Sequence, residues 1–171
     1  MAESLVTSQW PLPDVPATVQ CGRALGAALL RAAPPPLVVY LEGELGAGKT
    51  TLVRALLAEL GHQGRVPSPT YTLVEPYELR SFRVLHVDLY RLRDPSELDD
   101  LGLADELGAT DPEGRGTLLL AEWPGRGAGR LPAADLTLRL RLDGAGRQAV
   151  LEAGTPAGAA VLIELARPAQ T

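Results

Sequence analysis

An α/β domain with a partly antiparallel sheet is the fold class this sequence predicts, and three observations predict it. The short apolar run Leu37 to Leu41 is followed by a glycine-rich loop and then by a helix-patterned stretch. Later segments, Phe82 to Leu89 and Asp135 to Leu142 among them, alternate apolar and polar residues as antiparallel strands do. Strand, helix and hairpin signals therefore mix along 171 residues with no internal repeat, and that length makes one domain, residues 1–171, the default.

From the N-terminus, Asp14 is placed to cap a helix running to about Arg31, with Val15, Val19, Leu25, Leu29 and Leu30 as an approximate apolar stripe. Pro34-Pro35-Pro36 stops it. Leu37-Val38-Val39-Tyr40-Leu41 has the composition of a strand buried on both faces. After the loop Gly43 to Gly48 comes a helix to Leu60, with Leu52, Leu56 and Leu60 on one row, Val53 and Leu57 beside it, and Gly61 as its stop. Arg65 to Pro69 is a proline-punctuated loop. Tyr71 to Glu78 and Phe82 to Leu89 alternate as strands, with Tyr77 to Ser81 as the hairpin between them. Pro95 to Leu107 reads as one or two short helices and Gly108 to Gly116 as a loop. Thr117 to Ala121 is another apolar strand, closed by Glu122, and Pro124 to Arg130 is a glycine- and arginine-rich loop. Asp135 to Leu142 pairs with Gln148 to Glu152 across Asp143-Gly144. Thr155-Pro156 opens a last helix, threonine as cap and proline in the first turn.

Composition narrows the function. Hydrophobic residues make up 46% and charged residues 22%, which is globular and not disordered. Aromatics are only 4%, so the core must be mostly Leu, Val and Ala. Sixteen basic residues against 21 acidic ones leave −5, which excludes a nucleic-acid binder working by bulk charge, so no DNA partner is expected. Cys21 is the one cysteine, no intramolecular disulfide is possible, and a reducing compartment fits. Met1-Ala2-Glu3-Ser4 lacks a secretory pattern and no apolar run is long enough to span a bilayer, so a cytoplasmic protein with no membrane partner is expected. Lys49 is the only lysine among the 16 basic residues, in a chain that otherwise uses arginine. A lysine kept under such a bias belongs where a compact ammonium is needed and a planar guanidinium does not serve.

That lysine sits in Gly43-Glu44-Leu45-Gly46-Ala47-Gly48-Lys49-Thr50, which matches the phosphate-loop pattern. With this chain's own residue frequencies a chance match is expected on the order of 10⁻³ times. The glycines permit backbone angles closed to other residues, so that successive N–H groups turn inward as an anion nest. The helix that follows adds its positive dipole end. Lys49 would bridge the β- and γ-phosphates and the Thr50 hydroxyl would ligate Mg²⁺. The fold class sharpens to a single P-loop NTPase domain, its mixed parallel and antiparallel sheet flanked by helices.

Hydrolysis needs further acids. Asp88 closes the run Val84-Leu85-His86-Val87, and Glu122 closes Leu118-Leu119-Leu120-Ala121. If these strands run parallel to the first, both carboxylates emerge at the phosphate-loop edge, one to hold the metal or its water and the other to orient the attacking water. Ser68-Pro69-Thr70 lies where a nucleotide switch places a hydroxyl that senses the γ-phosphate, although a rigid proline turn gives the same pattern. His86 faces the same side as Asp88, as a catalytic or a satisfied structural histidine; Trp123 is read as packing ahead of a lid.

Four blocks occur in one order: residues 43–51, Ser68-Pro69-Thr70-Tyr71-Thr72-Leu73-Val74-Glu75-Pro76-Tyr77, His86-Val87-Asp88-Leu89-Tyr90-Arg91-Leu92, and Glu122-Trp123-Pro124. Together they resemble the bacterial TsaE (YjeE) family of small P-loop ATPases, over about Leu37 to Pro124. The resemblance implies an ATP- and Mg²⁺-binding protein that hydrolyses slowly alone and is required for threonylcarbamoyladenosine on tRNA. It implies association with TsaB and TsaD, tRNA being met through that complex. By motif position it implies nucleotide contacts from Gly43, Glu44, Leu45, Gly46, Ala47, Gly48, Lys49, Thr50, Thr51 and Thr70. It makes Lys49, Asp88 and Glu122 the catalytic set, and Thr50, Asp88 and Glu122 the metal set, with the division between the two acids open. Glu44 and Tyr71 stand where aspartate and phenylalanine are common in the family, and neither touches the chemistry.

Two alternatives to an ATPase are open on the residues. One is a small-molecule or nucleotide kinase, with Gly125 to Arg130 as its basic lid; the other is a nucleotide-gated binding module. Arg80, Arg83, Arg91 and Arg93 cluster around the Asp88 strand, either as a docking surface for the partner or the tRNA near the nucleotide edge, or as a solvated hairpin face.

Overall fold

The computed structural model describes residues 6–32, 35–109 and 111–168. Pro34 of the expected helix stop and the Met1-Ala2-Glu3-Ser4 start lie outside the described residues. The elements run β1 (Thr7–Leu12), α1 (Val15–Arg31), β2 (Leu37–Gly43), α2 (Lys49–Glu59), β3 (Val74–Glu78), β4 (Phe82–Asp88), α3 (Leu103–Gly108), β5 (Gly116–Glu122), β6 (Leu136–Asp143), β7 (Gly146–Ala153) and α4 (Pro156–Leu165). Tighter 3₁₀ turns occupy Pro95–Leu101 and Pro124–Gly127.

All seven strands form one sheet in the order β1-β7-β6-β2-β5-β4-β3. The middle of the sheet is parallel, β2 pairing with both β5 and β6, and β4 with β5. The flanks are antiparallel: β3 on β4, β7 on β6, β1 on β7. This is the mixed sheet the sequence predicts. β4 and β5 run with β2, so their C-terminal ends, Asp88 and Glu122, lie at the edge where β2 enters the glycine loop, directly opposite one another in register.

Alternation along the strands gives the sheet two packed faces. On one, Val39, Leu41, Val84, Leu118, Leu120, Leu138 and Leu151 meet α1, α2 and α4 in the main core. On the other, Val38, Leu85, Val87, Leu119 and Ala121 meet Leu98, Leu103 and Leu131. His86, Asp88 and Glu122 alternate onto the first face, beneath the start of α2.

Several boundaries differ from expectation. Strand β3 begins at Val74, not Tyr71, because residues 70–73 form a turn in which the Leu73 amide donates to Pro69 O at 2.8 Å and Leu73 takes φ 64°. β1 was not expected: its sequence is polar and contains Pro11, and only pairing with β7 makes it a strand. The loop after Glu122 holds the 3₁₀ turn Pro124–Gly127. In α1 the buried row is Thr18, Cys21, Gly22, Leu25, Gly26, Ala28 and Leu29, while Val15 and Leu30 of the expected stripe are exposed.

Candidate functional site

The phosphate loop is built by glycine. Gly43, Gly46 and Gly48 take φ of 153°, 79° and 105°, in the region that side chains avoid, and Gly48 caps the start of α2. Glu44, Leu45 and Gly46 form the exposed tip and Ala47 is buried beneath it. Lys49, the first residue of α2, is 5% exposed. Its Nζ donates to Gly43 O at 2.6 Å and Glu44 O at 3.0 Å. Burial pulls the ammonium below the ordinary lysine range, and the nearby Glu122 and Asp88 carboxylates oppose that shift.

Glu122 and Asp88 are 2% and 3% exposed. Glu122 Oε1 accepts from the Thr50 hydroxyl at 3.4 Å and lies 2.8 Å from His86 Nε2. His86 is wholly buried, and its Nδ1 has no partner among the described residues, an omission that costs about 1–3 kcal/mol. Asp88 gathers the switch segment. Its Oδ2 accepts from Thr70 Oγ1 at 2.9 Å and Ser68 Oγ at 3.2 Å, and its Oδ1 from the Tyr90 amide at 2.9 Å. The structure thus brings Lys49, Thr50, Asp88, Glu122 and Thr70 to one edge; Thr51 is half-buried in the next position of α2.

Trp123 follows Glu122 with φ 57°, a left-handed conformation that costs about 1–2 kcal/mol for a residue with a side chain. Its ring packs on the second core and lies 4.3 Å from Lys49 Nζ, so it is both packing residue and wall of the glycine-loop crevice. Tyr90 stands 5.0 Å from it, with the Arg126 guanidinium 5.6 Å over the Tyr90 ring.

Beside the loop opens a cavity of about 910 Å³, walled by Gly43, Glu44, Leu45, Ala47, Trp123 to Arg126 and Arg139 to Leu142. Its β6 wall was missed by sequence reasoning, since no motif marks it. Arg126 carried the one signal, through the glycine–arginine loop. Arg139 is engaged in ion pairs with Glu42 and Glu152.

The donor set fits ATP with Mg²⁺. Turned glycine amides and a desolvated ammonium suit phosphates. A hydroxyl and two carboxylates are hard oxygen ligands, of the kind Mg²⁺ takes beside phosphate oxygens and water. No group of three His, Cys, Asp or Glu side chains forms a metal cage among the described residues.

Known proteins with this pattern share more than the loop. The family model for threonylcarbamoyl adenosine biosynthesis protein TsaE matches residues 13–149. A Haemophilus influenzae tRNA threonylcarbamoyladenosine biosynthesis protein TsaE is 43% identical over 130 residues, covering 75% of this chain and 78% of its own. A Treponema pallidum protein of the same name is 36% identical over 105 residues, covering 61% and 73%. The crystal structure of Bacillus subtilis YdiB superposes with a TM-score of 0.73 at 26% identity, over 97% of this chain and 98% of the other.

Proposed function

This chain belongs to the TsaE family of threonylcarbamoyl adenosine biosynthesis proteins and is involved in making threonylcarbamoyladenosine on tRNA; from that premise we propose that it acts there as a Mg²⁺-dependent P-loop ATPase. One observation carries the reading: the convergence of Lys49, Thr50, Asp88 and Glu122 on the mouth of the glycine loop.

The roles follow from the contacts. Amides of residues 43–48 and the start of α2 hold the β- and γ-phosphates. Lys49 exchanges the carbonyls of Gly43 and Glu44 for phosphate oxygens, an exchange favoured because its ammonium has already lost its water. When bound, Mg²⁺ neutralises charge on the phosphates. Thr50 and Glu122, which touch each other, would hold the metal together with Asp88, opposite Glu122 in register. Thr70 and Ser68 hold Asp88, so the segment that senses the γ-phosphate is tied to an acid of the site. Few groups here do covalent chemistry; positioning and charge stabilisation suffice for phosphoryl transfer.

In this reading the chain works in the cytoplasm with TsaB and TsaD, and its ATP turnover resets or licenses that complex, tRNA being met through the partners. Glu122→Gln and Asp88→Asn test the reading together. Both are expected to keep metal-free ATP binding and partner binding while losing phosphate release and tRNA modification. Surviving modification would mean that nucleotide binding alone suffices. A phosphorylated small molecule in place of free phosphate, detected by mass spectrometry, would mean a kinase.

A further inference from the structure

We propose that His86 is a positioning residue, holding the Glu122 carboxylate away from Lys49 and turned for Mg²⁺-dependent work; this rests on the ATPase reading above. His86 lies on β4 two residues before Asp88 and opposite Leu120 of β5 in register. Its ring is fully buried. Nε2 and Glu122 Oε1 lie 2.8 Å apart in a hydrogen bond whose donor is set by the tautomer of the ring; against an ionised carboxylate, Nε2 donates. Nδ1 has no partner among the described residues, and the ring serves no second polar network there. Among the described residues its one polar contact is Glu122.

Glu122 has little else to fix it. The remaining polar contact of its carboxylate is the Thr50 hydroxyl at 3.4 Å, and that contact falls on the same oxygen. Lys49 is an ammonium in the same crevice, spending donors on two loop carbonyls. A glutamate freed from His86 has an obvious alternative partner in that ammonium. The resulting contact would draw the acid away from the Thr50 side of the crevice, while the ammonium, with three donors, still serves phosphate. Holding one carboxylate oxygen prevents this and leaves the other for the site. Hydrogen-bond partners of metal-side carboxylates commonly matter this way, with losses of about 10- to 100-fold when removed.

Two substitutions separate this role from packing. The amide of Gln places its N–H near the position of Nε2, and that of Asn near Nδ1. His86→Gln therefore keeps the bond to Glu122 and His86→Asn loses it, while both remain small and polar. ATP affinity is measured by calorimetry in EDTA and again with Mg²⁺, and turnover is split into kcat and KM. For His86→Asn we expect unchanged affinity in EDTA, a Mg²⁺-dependent gain in affinity reduced about 10- to 100-fold, a KM for ATP raised to match, and a lower kcat. His86→Gln is expected within about 3-fold of the unsubstituted protein. Equal behaviour of the two variants, or an equal loss with and without Mg²⁺, would overturn the proposal. Glu122→Gln is the internal reference. If it loses the Mg²⁺-dependent gain and His86→Asn does not, the role of His86 alone is wrong. If the unsubstituted protein shows no such gain, the ATPase reading fails first.

Discussion

At the scale of single residues, Lys49 shows how a functional group is held at some cost to the fold. Its ammonium is buried and depressed in pKa by that burial, and two loop carbonyls partly compensate. Lys49→Met keeps an unbranched chain, removes the desolvated charge and gives up the two hydrogen bonds, so the terms oppose. We expect a melting temperature within about 4 °C of the original and ATP affinity lower by at least about 100-fold, read by calorimetry. Lys49→Arg is expected to fail as well, since a planar guanidinium does not fit where Nζ lies between two carbonyls and the Trp123 ring. Retained affinity in either variant would remove Lys49 from the site. Cys21 gives a residue-scale prediction about stability. Burial pushes its thiol from an ordinary 9.0 up to about 12. Between those values the unfolded chain releases the proton and the folded chain keeps it, so this contribution is complete below pH 9 and is lost as pH rises toward 12. The stability of the unsubstituted protein relative to Cys21→Ala should shrink by roughly 2 kcal/mol from pH 8 to 10.5 in denaturant titrations. A constant difference would show that the thiol is not so protected.

At the scale of elements, the phosphate loop is placed by the contact of α1 with α2. A Cβ on Gly22 would lie 2.4 Å from Leu52 O and 2.9 Å from Ala55 Cβ, and one on Gly26 would lie 2.8 Å from Glu59 Cβ. The two helices approach this closely only because these positions are bare. Gly22→Val should therefore destabilise by about 1–3 kcal/mol, lowering the melting temperature by roughly 2–12 °C, and weaken ATP binding as α2 shifts. Gly108→Ala, with nothing within 4 Å of the added carbon, should change stability by less than about 0.5 kcal/mol in the same melt. This contact also explains what the sequence conceals about α1. Periodicity weighs large side chains, so it favours Val15 and Leu30, which are exposed, over the glycines that make the seam. β2, β4 and β5 were legible because their apolar runs are buried on two faces, and α2 because its leucine row repeats at helical spacing with an exposed opposite side. β1 was not, because a polar edge strand containing Pro11 exists only through its partner.

Across the whole molecule, the same division holds for the site and for the charges. Gly43 to Thr50, Asp88 and Glu122 were legible because each acts through local backbone form or a strand end. The β6 wall of the cavity was not, since Arg139 to Leu142 reach the loop only by long-range pairing of β6 with β2. The arginine cluster around Asp88 also divides. Arg83 is taken up by Glu78 and Glu106, within the domain. Arg91 instead stacks 4.3 Å over the ring of Tyr71, which is 81% exposed, and Arg93 is exposed beyond it. Tyr71 directly follows Thr70, so this aromatic–arginine pair covers the outer side of the segment that holds Asp88. Exposed tyrosine and arginine are the side chains most used at the centres of protein interfaces. They also stand apart from the residues proposed to hold phosphate. Reversing charge at Arg91 and Arg93 takes the net charge from −5 to −9, two units for each substitution. Arg91→Glu with Arg93→Glu should leave ATP affinity within about 2-fold and weaken association with TsaB–TsaD by at least about 10-fold, more at low salt than at high. Tyr71→Ala should weaken association without that salt dependence, because it removes contact area and not charge. Titration of the complex with each variant reads both effects, and association unchanged in all of them would place the docking face elsewhere on the molecule.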